Sequence, residues 1–382
     1  MKGRVYLDNH TVTRPFPSAV EELLVFFREH WGSTASPHQM GQELFPALNK
    51  NTEIILASLG AQPGDRFYFF SSSAEAISHL YLSHYFDSIR HTGKNHILTT
   101  NIEEASVLMS LKRLEELGCT GKILPVNAQG QLTKDVLDEA LRPRVSLLSL
   151  SWANGLTGVV HPIADLAEVC RARDMRIHVD ASYVIGKFYF RFVDLPIDFL
   201  TFDGSLLHAP KGTAGLLVKE KALFSPPFSS MMGVPVGGIA ALAEALERGA
   251  SMFDLVCLET SRLRDKLEKG ILRGFPEAKV VLSLADRLPN STAIIFPGVV
   301  SDALLFLLHR KGVYASLGGG HCQKLSHILN ACSIDDVLAQ CGLSFSLSYE
   351  TKEEEIDYAI ETIVECAHKF KELSGKLIEV TP

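Results

Sequence analysis

Between His96 and Phe202, five short apolar runs alternate with amphipathic stretches, and no other feature of the chain constrains its fold as much. The runs are His96–Thr100, Lys122–Val126, Val145–Ala153, Arg176–Val179 and Asp198–Phe202. Helical patterns fill Glu104–Leu117, Lys134–Leu141 and Ile163–Arg173. Parallel strands cannot be joined by a tight turn and need a crossover, usually a helix. The spacing therefore predicts βαβ units and an α/β fold with a mostly parallel sheet. Upstream, Val20, Leu23, Leu24, Phe27 and Trp31 recur at helical intervals, predicting a helix over Ser18–Trp31 that Gly32 stops; a second helix follows Ser73.

From Ala240 a long helical pattern runs through Leu255 and Leu263 to Ile271. Beyond it, strands are predicted at Lys279–Leu282, Thr292–Phe296, Val313–Ser316 and Leu343–Leu347. A final helix is signalled by the capping pair Thr351 and Glu354 ahead of Ile356, Ile360 and Ile363. The expected organisation is a large domain over 13–245 and a smaller C-terminal α+β domain over 246–382, with residues 1–12 free to pack on either.

Composition narrows the function classes. A chain of 382 residues, 46% hydrophobic and 21% charged, has the material for two cores and is not disordered. With 37 basic against 44 acidic residues the net charge is −7, which argues against a nucleic-acid partner. Apolar stretches are too short to span a membrane, and Met1–Asp8 shows no signal-peptide core. The seven cysteines form no C-x-x-C pair and no metal-type spacing, as expected of reduced thiols in the cytoplasm.

Single motifs say little. Ser71-Ser72-Ser73-Ala74 stands between a strand and a helix, where small residues let backbone N–H groups approach an anion. His178-Val179-Asp180-Ala181 puts an acid at the C-terminal end of a strand, where α/β sheets place their sites. The series is more informative: YLDNHTVT (Tyr6–Thr13), GSTASPHQMG (Gly32–Gly41), Ser71–Ala76, NGLTGVV (Asn154–Val160), HVDASYVIGK (His178–Lys187), PKG (Pro210–Gly212), GVYASLGGG (Gly312–Gly320) and TKEEEIDYAI (Thr351–Ile360) occur in order. That series resembles the NifS-type cysteine desulfurases of the class V aminotransferase family over nearly the whole chain. The resemblance implies a pyridoxal-phosphate (PLP) transferase fold and a homodimer, with a sulfur-transfer or other protein partner and no membrane or nucleic-acid role.

At the chemical positions this chain departs from the resemblance. Aligned on Pro210-Lys211-Gly212, Leu206 stands where the family has the lysine that forms the Schiff base, and a leucine carries no amine. Lys211 matches a different family lysine. Asp203 and Ser205 replace the phosphate-binding serine and histidine, and Glu104 replaces the histidine that stacks on the cofactor ring. Tyr183 replaces a glutamine, Gly155 an asparagine, and Val234 the threonine lent by a partner subunit. Ser344 replaces the arginine that clamps the substrate carboxylate. Cys322, next to His321, falls one residue late in the loop that carries the sulfur-accepting cysteine. Asp180 keeps the pyridine-nitrogen position, and Ser72, Ser73, Ala74 and Asn154 mark the remaining cofactor and substrate positions.

The resulting expectation is a non-catalytic binding, scaffold or regulatory homologue with PLP absent or not covalently held, and no metal. The alternatives are an active PLP-dependent cysteine desulfurase, which turns L-cysteine into L-alanine plus an enzyme persulfide, and an enzyme built on Glu104, Asp180, Asp203, His208, His321 and Cys322 in a repurposed acidic cleft.

Overall fold

The computed structural model describes residues 4–227, 233–319 and 323–379. Seven strands form the main sheet in the order Arg66–Phe70, Ala214–Val218, Phe199–Asp203, Arg176–Asp180, Val145–Ser151, His96–Thr100, Thr120–Leu124. Ala214–Val218 runs antiparallel to both neighbours, and the other pairings are parallel. All seven residues of Val145–Ser151 are buried, because helices cover both faces of the sheet. One covering helix, Ile163–Ala172, shows the expected periodicity: Ile163, Leu166, Ala167 and Cys170 fall at i, i+3, i+4 and i+7, and all are buried. The opposite face is covered by Ser73–His84 and Ala105–Glu115, which bring Ile77, Tyr81, Val107 and Leu111 onto Ile97 and Leu147.

The five expected runs are all strands of this sheet, with Lys122–Val126 displaced to Thr120–Leu124. The helix expected over Ser18–Trp31 spans Pro17–Arg28. A second, three-stranded antiparallel sheet pairs Gly342–Ser346 with Ser291–Ile295 and the latter with Lys279–Val280. The helices Phe253–Gly274, Ser301–Arg310 and Glu353–Glu379 pack on it around Leu263, Leu267, Leu304, Phe345 and Ile363. Val313–Tyr314 stays outside that sheet and pairs in parallel with Val5–Tyr6, so Val5 and Leu7 enter the second core. The last helix opens differently from the expected pair: Glu355 accepts from the backbone N–H of Lys352 (2.9 Å), while the Thr351 hydroxyl accepts from that of Ser348.

Where the two layers meet, Ile102, Leu156 and Val159 pack against Ile295, Ile328, Cys332 and Cys341. Cys332 and Cys341 are buried there as small apolar core residues. The C-terminal ends of the parallel strands open beside this seam.

Candidate functional site

Asp180 ends the strand Arg176–Asp180, so its side chain stands at the edge of the sheet and is 5% exposed. One carboxylate oxygen accepts from the Thr201 hydroxyl (2.6 Å), the other from the Ser182 N–H (3.0 Å). The Thr201 hydroxyl gives its proton to Asp180 and so accepts from His178 Nε2 at 2.9 Å, leaving His178 Nδ1 to accept from Ser149 at 2.7 Å. Ser149, His178, Thr201 and Asp180 thus form a buried polar chain across three strands, and burial holds His178 neutral with its pKa pulled down to about 3.

Four carboxyl groups gather here. Glu103, 1% exposed, accepts from the Thr100 hydroxyl (2.7 Å) and from both the N–H and the hydroxyl of Ser151 (2.9 Å each). Glu104 accepts from the Tyr183 hydroxyl at 2.5 Å. Burial, and then the neighbouring Asp180, push the Glu104 carboxyl up to about 8; burial pushes Glu103 up to about 7 despite its hydrogen bonds. Burial also raises Asp180. A site whose carboxyl groups resist ionisation in one another's presence is a poor host for a further anion.

Asp203 supplies the fourth carboxyl. It sits at the end of Phe199–Asp203, facing the first turn of Ser73–His84. One oxygen accepts from the Ser73 N–H (3.0 Å), the other from the N–H (2.9 Å) and hydroxyl (2.6 Å) of Ser205. The helix N-terminus therefore already holds an anion supplied by the chain itself. Ser72 caps the same helix by accepting from the Glu75 N–H, and Ala74 lies in its first turn.

Tyr183 and Gly155 are matched. Tyr183 is 3% exposed, and a Cβ added to Gly155 would lie 2.4 Å from Cζ and 2.5 Å from Cε1 of its ring. Only a residue without a side chain leaves room for the phenol. Beside Glu104, Asn154 and Tyr183, the remaining cavity is about 10 Å³, space for one water at most. Asn154 Oδ1 accepts from its own loop, from the Leu156 and Thr157 N–H groups and the Thr157 hydroxyl, while its Nδ2 donates to the Ile102 carbonyl at 3.4 Å.

Other expected positions separate from this cluster. Leu206 is buried in the single turn Gly204–Leu206. Lys211 is exposed. Ser344 is fully buried and donates to the Leu156 carbonyl at 2.6 Å, tying the two layers together. The Val234 N–H bonds the Thr34 hydroxyl. His208 does not join the acids: its ring meets Phe16 at 4.9 Å and Tyr349 at 4.8 Å, and Nδ1 donates to the Arg14 carbonyl. His321 and Cys322 lie outside the described residues. Among the described residues no group of three or more His, Cys, Asp or Glu is placed to hold a metal ion. Sequence reasoning missed the structural work of Glu103, Thr201 and Gln323. Gln323 donates to the Asn101 and Glu103 carbonyls across the seam; no periodicity marks such a tie.

The model of the family described as "Aminotransferase class-V" matches residues 5–233. A cysteine desulfurase of a Nostoc species is 31% identical over 97% of this chain and 94% of its own length. The cysteine desulfurase NifS of Azotobacter vinelandii is 32% identical over 94% and 91%. A solved structure titled NifS-like protein superposes with a TM-score of 0.89 at 28% identity, covering 96% of this chain and all of that one.

Proposed function

The chain belongs to the class V aminotransferase family, in its NifS-type cysteine desulfurase branch, and we propose that it keeps that fold without Schiff-base catalysis. It acts in this reading as a homodimeric binding, scaffold or regulatory protein of the cytoplasm, with a sulfur-transfer protein as the first candidate partner to test. The observation that carries the reading is Asp203 on the helix N-terminus. PLP needs donors for a phosphate dianion, a slot for its ring and an amine for its aldehyde. Here the Ser73 N–H is already paired with a carboxylate, Tyr183 and Glu104 leave space for one water, and residue 206 is a leucine. The residues present do not fit the cofactor, so we derive no step through it. Among the described residues, no helix is long and apolar enough to cross a membrane.

A second reading, an active PLP-dependent cysteine desulfurase, draws on the 31% identity over 97% of the chain and on Asp180 in its hydrogen-bonded place at the strand end. One experiment separates the two. The purified protein is incubated with PLP, reduced with borohydride and analysed by peptide mass spectrometry, and sulfide release from L-cysteine is measured in parallel. The non-catalytic reading expects no pyridoxyl-lysine and no sulfide above background. A stoichiometric adduct on any lysine, or turnover of cysteine, overturns it.

A further inference from the structure

A second cavity, of about 370 Å³, lies between the two layers and shares none of Glu104, Asp180, Tyr183 or Asp203 with the cluster above. Its lining is largely apolar, with Phe16, Leu207, Leu246, Met252 and Tyr349 among the walls. Phe16, His208 and Tyr349 form a three-ring wall, their centroids 4.8–5.1 Å apart. His208 holds its place in that wall with a left-handed backbone (φ 64°), its N–H donating to the Thr13 hydroxyl. A volume above about 300 Å³ with apolar walls and few polar groups is the usual form of a small-molecule site.

One cation faces this space. Lys187 lines the cavity, and its ammonium makes a single long hydrogen bond, 3.5 Å to the Leu206 carbonyl. It forms no ion pair within 4 Å with any described carboxylate. The titratable groups around it do not supply the missing negative charge. His208 is held neutral by burial, its pKa pulled down to about 4. Cys257 gives its thiol hydrogen to the Lys187 carbonyl at 3.4 Å, and burial raises its pKa. Asp254 lines the rim but is exposed. Arg248 adds further positive charge, its guanidinium 5.7 Å from the Phe16 ring centre. Burial without a counter-charge pulls Lys187 down to about 8. A half-buried cation with unmatched donors favours an anion in the same cavity. A single ammonium among apolar walls suits one negative charge on an apolar body, and has too few donors for a dianion.

We propose that this cavity binds an apolar monocarboxylate, with the carboxylate on Lys187 and the hydrocarbon body against Phe16, His208, Tyr349 and Leu246. Leu206, at the family's Schiff-base position, lines this cavity, but no carboxyl group of the acidic cluster does, and the proposal does not rest on whether that cluster supports catalysis.

Isothermal titration of the full-length protein with octanoate and with octanol, from pH 6.5 to 9.5, tests it. Octanoate binds, and Lys187→Met weakens it about 10–100-fold, the worth of a hydrogen bond to a charged group, while leaving octanol unchanged. Affinity for octanoate falls as pH rises above about 8, because the amine must regain its proton to pair; octanol affinity stays flat. Gly249→Leu blocks both ligands, since a Cβ there meets nothing within 4 Å and its side chain grows into the cavity. Neither variant removes a packed side chain, and melting curves confirm folding. Equal binding of octanoate and octanol, octanoate binding that Lys187→Met leaves unchanged, or no binding of either by the folded wild type each overturns the proposal.

Discussion

Replacing Gly155 by alanine tests whether the cleft is filled as described. The new Cβ would lie 2.4 Å from Cζ, 2.5 Å from Cε1 and 2.8 Å from the hydroxyl oxygen of Tyr183. Ordinary carbon contacts are about 3.5–4.0 Å, so the overlap exceeds about 1 Å. The ring cannot swing away freely, because it is 3% exposed and its hydroxyl is tied to Glu104. Overpacking of this kind costs about 1–3 kcal/mol. Tyr183→Ala alone opens a void and loses about 3–5 kcal/mol. In the double variant the alanine at 155 has nothing to strike, so the loss equals that of Tyr183→Ala alone. The cycle then gives a coupling of about 1–3 kcal/mol in magnitude, well above the few tenths expected of independent sites. Calorimetry reads it as a drop of about 2–4 °C per kcal/mol in the transition of the seven-stranded region. Additive losses in the double variant, or a neutral Gly155→Ala, would refute the filled cleft.

Leu206→Lys by itself is expected to give no borohydride-stable PLP adduct, because Asp203 still occupies the helix N-terminus and Tyr183 the ring space; an adduct by mass spectrometry would show that the amine alone was limiting. Stability should peak at about pH 6. Glu104, Glu103 and Asp8, raised to about 8, 7 and 6, stabilise the fold while protonated, and that contribution is lost as pH rises through those values. His84, His161 and His208, lowered to about 4, stabilise it while neutral, and that contribution is lost as pH falls from 6.5 toward 4. Glu104→Gln keeps an acceptor for Tyr183 and should raise the melting temperature at pH 9 with little change at pH 5; equal shifts at both would count against a buried carboxyl. Ser344→Ala leaves the Leu156 carbonyl without its side-chain donor and should cost about 1–3 kcal/mol in thermal unfolding. A neutral result there would mean that the tie does not hold the layers.

The strand–helix alternation was legible because a helix or strand that buries one face must repeat its apolar residues at its own period. Ile163, Leu166, Ala167 and Cys170 could therefore be placed before any contact was known. Ala214–Val218 sits outside the βαβ repeat and pairs antiparallel, so the alternation did not announce it, nor that it would join the strand before Ser71, Arg66–Phe70, to the sheet. The substituted positions were visible together through the family resemblance, but not the contacts that they make in the fold. Asp203 read only as the replacement of a phosphate-binding serine, whereas in the fold it accepts from Ser73 and Ser205 as an anion in its own right.

Lys187 shows the same limit from the other side. It stands in HVDASYVIGK, in plain view, yet nothing in the motif says that its amine faces an apolar cavity without a carboxylate partner. The amino-acid sequence alone determined the α/β class, the family and the identity of every residue at the family's cofactor positions, since periodicity and motif order are local properties of the chain. The pairing of Tyr183 with Gly155, the carboxylate on the helix end, the departure of His208 from the acids and the second cavity were decided by tertiary structure. They depend on distances between residues 28 to 333 positions apart, and such distances are set by how the layers pack.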